Sequence, residues 1–196
     1  SPQEAKRGGV VPGVGPRAEV VMRDQWLAEG GHATGRHVFI ETNAGLEAAF
    51  DIARCSDRID ALFFGGVDMA AELGCQNTWD GLFYARARVV HAAAGAGLDV
   101  IDVPYLDLDD PEGMRMAAEQ ARDLGFAGKG SVHPKQIAAL NTVFTPTEAQ
   151  IARARRIIAD FEAADTGLVV IDGKLIEKPV LRDMYRIRAI ADRMGV

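Results

Sequence analysis

The sequence predicts an α/β chain built on a parallel sheet, and three observations carry that reading. His37-Val-Phe-Ile40 and Ala61-Leu-Phe-Phe64 are apolar runs of the length of buried strands. Between them Leu46, Ala49, Phe50 and Ala53 recur at helical spacing. A third apolar run, Leu98–Pro104, follows another helical stretch and is apolar enough to be covered on both faces. Because a strand–helix–strand crossover is almost always right-handed, successive strands run parallel and their following loops emerge on one edge.

The elements follow in order. Arg17–Gly30 is an amphipathic helix stopped by Gly30-Gly31, with Trp26 read as core. Asn43 is placed to cap the helix after the His37 run, and Cys55-Ser56 to end it. Asp80 opens a helix whose Leu82, Phe83, Ala85, Val89, Val90 and Ala93 face inward up to the glycines at 95 and 97. Asp110-Pro111 supplies a cap and a first-turn proline for a helix ending at Leu124-Gly125. Gly125–Pro134 is a further strand with its loop, and Pro134 and Gln136 begin a short helix through Leu140. Thr145-Pro-Thr147-Glu148 opens a long helix to Ala164. Leu168–Ile176 then reads as a hairpin about Asp172-Gly173, and Pro179–Met194 as a final helix.

With 196 residues, 48% hydrophobic and 26% charged, the chain has enough apolar residues for a core. Its net charge is −6 and its Lys and Arg residues are dispersed among acids, so no nucleic-acid footprint is expected. No run approaches the ~20 apolar residues of a membrane helix. Two cysteines without a metal-type spacing suit a reduced compartment, and a cytoplasmic protein is expected.

Glu41 ends the first strand–loop transition, and Asp68 follows Gly65-Gly66 after the second. Two carboxylates on adjacent loops can hold a hard cation that keeps open positions, the usual manner of Mg²⁺ binding, with Mn²⁺ as the substitute. Either acid alone is explained as well by helix capping or solvation. Arg86 and Arg88 are solvated helix charges or neighbours of phosphate or carboxylate groups. Asp102, at the end of its strand, either positions substrate or orders a neighbouring side chain, or is a buried acid paired with a backbone or arginine donor. The aspartates at 107, 109 and 110 lack calcium-loop spacing and form a solvated turn.

Several of these stretches also form an ordered set. Phe39-Ile-Glu-Thr42, Phe64-Gly-Gly-Val-Asp-Met69, Tyr84-Ala-Arg-Ala-Arg88, Gly125-Phe-Ala-Gly-Lys129, Val132-His-Pro-Lys-Gln136, Asp172-Gly-Lys174 and Lys178-Pro-Val-Leu181 stand in sequence. The set resembles the citrate lyase beta-subunit-like branch of the HpcH/HpaI aldolase superfamily, from about Gly9 to the C-terminus. The resemblance implies a (β/α)₈ TIM barrel of which residues 1–144 supply roughly the C-terminal five units, followed by a C-terminal helical and hairpin extension over 145–196. A whole barrel takes about 250 residues. Roughly sixty family positions are missing between Arg7 and Gly8, the size of two βα units, through a joining of ordered pieces of a longer protein or a natural deletion. Gly13 and Gly15 stand where the family has Lys and Glu.

The resemblance further implies an Mg²⁺-dependent carbon–carbon lyase acting on a 3-hydroxyacyl thioester of the malyl-CoA, citramalyl-CoA or citryl type. Its metal ligands are Glu41 and Asp68. Substrate contacts fall at Gly66, Val67, Lys129 and His133. Asp172, reaching the metal of a neighbouring copy in a trimer or hexamer, is the candidate general acid. The substrate is a CoA or acyl-carrier thioester. Alternatives are a related malyl-CoA thioesterase or malate synthase, and a degenerate non-catalytic paralogue serving as a binding or scaffold subunit.

Overall fold

The computed structural model describes residues 9–11, 35–164 and 168–196; the expected helix over 17–30, Trp26, Gly13 and Gly15 lie outside them. The chain divides into two compact units, the first ending at Phe144 and the second running Thr145–Val196.

In the first unit, five parallel strands stand side by side in chain order: β1 (Gly9–Val11), β2 (Arg36–Ile40), β3 (Ile59–Phe64), β4 (Asp99–Asp102) and β5 (Gly128–Lys129). The alternation of a strand sends Val38, Ile40, Leu62, Phe64 and Val100 into one core. Helices α1 (Asn43–Glu47), α2 (Ala49–Ala53), α3 (Gly66–Leu73) and α4 (Trp79–Ala96) cover that face with Leu46, Ile52, Met69, Leu82, Ala85 and Val89. Intervening residues His37, Phe39 and Phe63 lie on the other face, with ring centroids 5.4 Å (His37–Phe63) and 4.8 Å (Phe39–Phe63) apart. Helices α5 (Pro111–Leu124) and α6 (Ile137–Phe144) pack through Met114, Ala118, Leu140 and Val143.

Four local expectations are corrected. The helix after β2 is broken at Ala48 into α1 and α2, and Thr42, not Asn43, caps it by accepting from Gly45 N–H at 3.0 Å. The break has a cause in Arg88. Its Nε donates to Leu46 O (2.9 Å) and its Nη2 to Glu47 O (3.0 Å), occupying carbonyls that a continuous helix would turn toward its next turn. Thr78 rather than Asp80 caps α4, accepting from Gly81 N–H. Phe83, expected inside, is 48% exposed because it falls on the solvent side of that helix.

Asp110 caps α5 as expected: its Oδ1 accepts from Gly113 N–H at 2.8 Å, and its Oδ2 accepts from the Tyr105 hydroxyl at 2.6 Å. The tyrosine bond first, then the amide bond, holds the Asp110 carboxyl below its ordinary range. Such a group stabilises the fold above its unfolded value near 3.8, and that contribution is lost as pH falls through the depressed folded value. Asp110→Asn keeps a capping acceptor but cannot titrate. Its Tm deficit against the parent should therefore shrink as melts are taken from pH 5 toward pH 2.5; a constant deficit would show that Asp110 does not contribute through its charge.

The second unit consists of α7 (Glu148–Ala163), a hairpin of β6 (Leu168–Ile171) and β7 (Lys174–Glu177), and α8 (Lys178–Met194). Thr147 and Gln150 form a reciprocal capping box at the start of α7. Ile157, Ile158, Ile171, Ile176 and Leu181 are its buried core. Asp172 (φ 51°) and Gly173 (φ 72°) both take the positive φ that a two-residue hairpin turn requires.

Candidate active site

The C-terminal ends of β2 and β3 bring the first two candidate residues to one edge. Gly65 N–H donates to Ile40 O at 3.0 Å, which sets the residue after β3 level with Glu41. A Cβ on Gly65 would stand 2.3 Å from Glu41 Cβ and 2.8 Å from Glu41 Oε2. Glycine is needed there for close approach and not for its backbone angle, since its φ is −94°. Asp68 lies in the first turn of α3 and is exposed, while Glu41 is half-buried. The last turn of α3 is tied to the start of α1, where Asn43 N–H donates to Glu72 Oε2 at 2.5 Å.

This donor set is all carboxylate oxygen, which suits a hard divalent cation. Among the described residues no cluster of three or more His, Cys, Asp and Glu side chains forms a metal cage. A cation on Glu41 and Asp68 would thus retain positions for water or substrate oxygens. Gly65, the N-cap of α3, offers no side-chain acceptor, so the first amides of that helix, at Gly66, Val67 and Asp68, carry no side-chain cap. Helix N-termini of this kind favour carboxylate or phosphate oxygens. Gly66 is also tightly seated: its Cβ position is 3.1 Å from both Phe64 Cε1 and Val103 Cγ1.

The ends of β4 and β5 hold a buried ionic cluster. Asp102 Oδ1 accepts from Arg86 Nε at 2.9 Å, and its Oδ2 accepts from Lys129 Nζ at 2.6 Å. The side chains of Arg86, Asp102 and Lys129 are 6%, 0% and 3% exposed. Of the readings open for Asp102, the arginine-paired acid is the one observed. Arg86 is neither solvated nor at a surface: its guanidinium carbon lies 5.0 Å from the Phe64 ring centroid and 5.1 Å from that of Trp79. Burial pushes the Lys129 ammonium below its ordinary value, an effect partly offset by Asp102 and reinforced by Arg86. The Lys129 side chain is buried and turned onto Asp102.

His133 is half-buried and caps the turn Pro134–Gln136, its Nδ1 accepting from Lys135 N–H at 3.1 Å. The neutral ring then carries its proton on Nε2. Asp172 is in the second unit, at the hairpin tip, where its carboxylate pairs with Arg156 of α7. Sequence reasoning missed Gln136 as a tie between loops. It is buried, donates from Nε2 to Tyr105 O at 2.8 Å, and accepts at Oε1 from Val132 N–H and Ser131 Oγ, so it ties the loop after β5 to the loop after β4. The Asp102–Lys129 pairing had only a partial cue, in that the two residues end consecutive strands; their register partnership comes from the sheet itself.

Comparison with known proteins finds a family match. The family model for HpcH/HpaI aldolase/citrate lyase matches residues 17–134. An L-malyl-CoA/beta-methylmalyl-CoA lyase of Cereibacter sphaeroides is 34% identical over 86% of this chain and 62% of its own length. A citrate lyase subunit beta of Leuconostoc mesenteroides subsp. cremoris is 32% identical over 78% of this chain and 52% of its own. The chain thus spans between half and two thirds of these relatives. The crystal structure of protein CitE from Mycobacterium tuberculosis, in complex with magnesium, acetoacetate and coenzyme A, superposes with a TM-score of 0.72 at 25% identity, covering 93% of this chain and 67% of that one. A family model matching more than half of the residues, together with relatives above 30% identity, shows that this chain belongs to the HpcH/HpaI aldolase/citrate lyase family.

Proposed function

We propose that the protein is an Mg²⁺-dependent carbon–carbon lyase that cleaves a 3-hydroxyacyl thioester of the malyl-CoA, citramalyl-CoA or citryl type into a keto acid and an acyl thioester. The observation that carries this reading is the close packing of Glu41 over Gly65, which sets two carboxylates on consecutive strand-end loops in a chain of this family. The relatives named for malyl-CoA cleavage and the neighbour holding magnesium and coenzyme A support it. In this reading the five strands are part of a (β/α)₈ barrel, and the face carrying His37, Phe39 and Phe63 belongs to its interior.

Glu41 and Asp68 would hold the cation. Bound there, Mg²⁺ supplies Lewis-acid stabilisation of negative charge on a substrate oxygen. The α3 amides at Gly66 and Val67 receive the substrate carboxylate, and His133 borders the same edge. Lys129, held on Asp102, adds positive charge. Cleavage requires loss of the hydroxyl proton to a base; the C–C bond then breaks, its electron pair passing to the thioester enolate while the hydroxyl carbon becomes the keto group. The enolate carbon finally takes a proton. Asp172 of a neighbouring copy is the proposed donor. Its place at a hairpin tip, on a unit with Val170 and Leu175 exposed at 65% and 52%, supports an intermolecular role.

The test is release of glyoxylate from malyl-CoA, of pyruvate from citramalyl-CoA and of oxaloacetate from citryl-CoA, with and without Mg²⁺. Mg²⁺-dependent keto-acid release is expected from one of them. CoA release without keto acid would point to the thioesterase alternative, and no turnover by a chain that binds Mg²⁺ would favour the non-catalytic one. Mixing inactive Asp172→Asn and Asp68→Asn proteins should restore partial activity after subunit exchange; no recovery would sink the shared-site role of Asp172.

A further inference from the structure

The cluster of Arg86, Asp102 and Lys129 is only lightly used by the proposed chemistry, and stability does not account for it. With Lys129 protonated, two buried cations face one buried carboxylate, and Arg86 Nη1 is buried without a hydrogen-bond partner. An unsatisfied buried donor costs about 1–3 kcal/mol. Replacing a buried ion pair by apolar groups of similar volume is often neutral or stabilising. Position, by contrast, is what the cluster provides. Arg86 projects from α4, Asp102 ends β4 and Lys129 ends β5, so three elements meet on one carboxylate.

From there a chain of contacts leads to the carboxylate pair. The planar guanidinium lies against Phe64, the last residue of β3, and against Trp79 at the start of α4. Phe64 Cε1 is in turn 3.1 Å from the Cβ position of Gly66, the first residue of the helix that bears Asp68. We propose that Arg86 is a positioning residue: clamped by Asp102, which Lys129 clamps in turn, its guanidinium fixes the Phe64 ring and hence the Gly65-Gly66 turn that sets Asp68 against Glu41. The inference rests on the reading of Glu41 and Asp68 as a divalent-metal site. The ionic cluster is retained for register, and the uncompensated charge and donor are tolerated for that reason.

Mn²⁺ titration followed by electron paramagnetic resonance tests this, with circular dichroism and melting curves on the same samples. Arg86→Lys keeps a cation but loses the plane that meets both rings and the Nε bond to Asp102. Trp79→Leu leaves all three charges and removes one ring. Arg86→Lys should weaken Mn²⁺ binding about tenfold, the lower end of what loss of a residue supporting metal ligands costs, and Trp79→Leu about threefold. Both should keep native dichroism and melt well above the titration temperature. Folded variants that bind Mn²⁺ as tightly as the parent would overturn the positioning role. If Arg86→Lys does not fold, Trp79→Leu decides, and unchanged affinity there overturns it equally. Failure of the parent chain to bind Mn²⁺ would instead overturn the metal-site reading.

Discussion

Glu41→Gln and Asp68→Asn, made together, should abolish divalent-cation binding to this chain while leaving it folded. The amides keep the size and one acceptor oxygen of each carboxylate but remove the charge that draws a hard cation out of water. Loss of groups that merely support metal ligands costs roughly 10–100-fold in affinity, and loss of both ligands should exceed that. Asp68 is exposed in the first turn of α3, so its substitution alone should change Tm by no more than about 2 °C, the scale of a surface replacement. Titration calorimetry with Mg²⁺ checks the first expectation and a thermal melt the second. Undiminished heat in the double variant would remove the metal hypothesis.

Gly65→Ala should be strongly damaging for the addition of a single methyl. Its Cβ would meet Glu41 Cβ at 2.3 Å and Glu41 Cα at 3.3 Å, atoms anchored to the backbone that cannot swing away. Either β2 and the turn after β3 separate, or the Glu41 side chain is driven out. Overpacking of this kind costs about 1–3 kcal/mol, or roughly 2–12 °C of Tm for a chain of this length. Mg²⁺ affinity should fall with it, because the displaced residue is a proposed ligand. Gly95→Ala in α4 is the control: the Cβ there meets the end of the Arg54 side chain at 3.1 Å, and alanine favours the helix by up to ~1 kcal/mol. Equal effects of the two substitutions would show that the Gly65–Glu41 contact is not special.

The strand–helix–strand unit was legible because its two apolar runs are short, end on Glu41 and Gly65, and enclose a residue pattern of a different period. The hairpin was legible for a similar reason, since Asp172-Gly173 supplies two residues that tolerate positive φ. What local pattern could not reveal depends on residues far apart in the chain. Ala48 is a strong helix former, yet the helix breaks there because Arg88, forty residues on, takes the carbonyls of Leu46 and Glu47. Arg86, Asp102 and Lys129 were each noticed singly, but their joining on one carboxylate needs the pairing of β4 with β5 and the docking of α4. Gln136 was legible as part of a helix start and of the Val132–Gln136 stretch, but not as a tie between loops. Its amide is structural only because two loops happen to offer it donors and a carbonyl within reach.

The central claim, that Glu41 and Asp68 form one metal site at the strand ends, is tested most directly by anomalous scattering from a crystal soaked in Mn²⁺. The account predicts an anomalous peak bridged by the carboxylates of Glu41 and Asp68 beside the first turn of α3. A peak bound elsewhere, with the position between these two carboxylates empty, would contradict it.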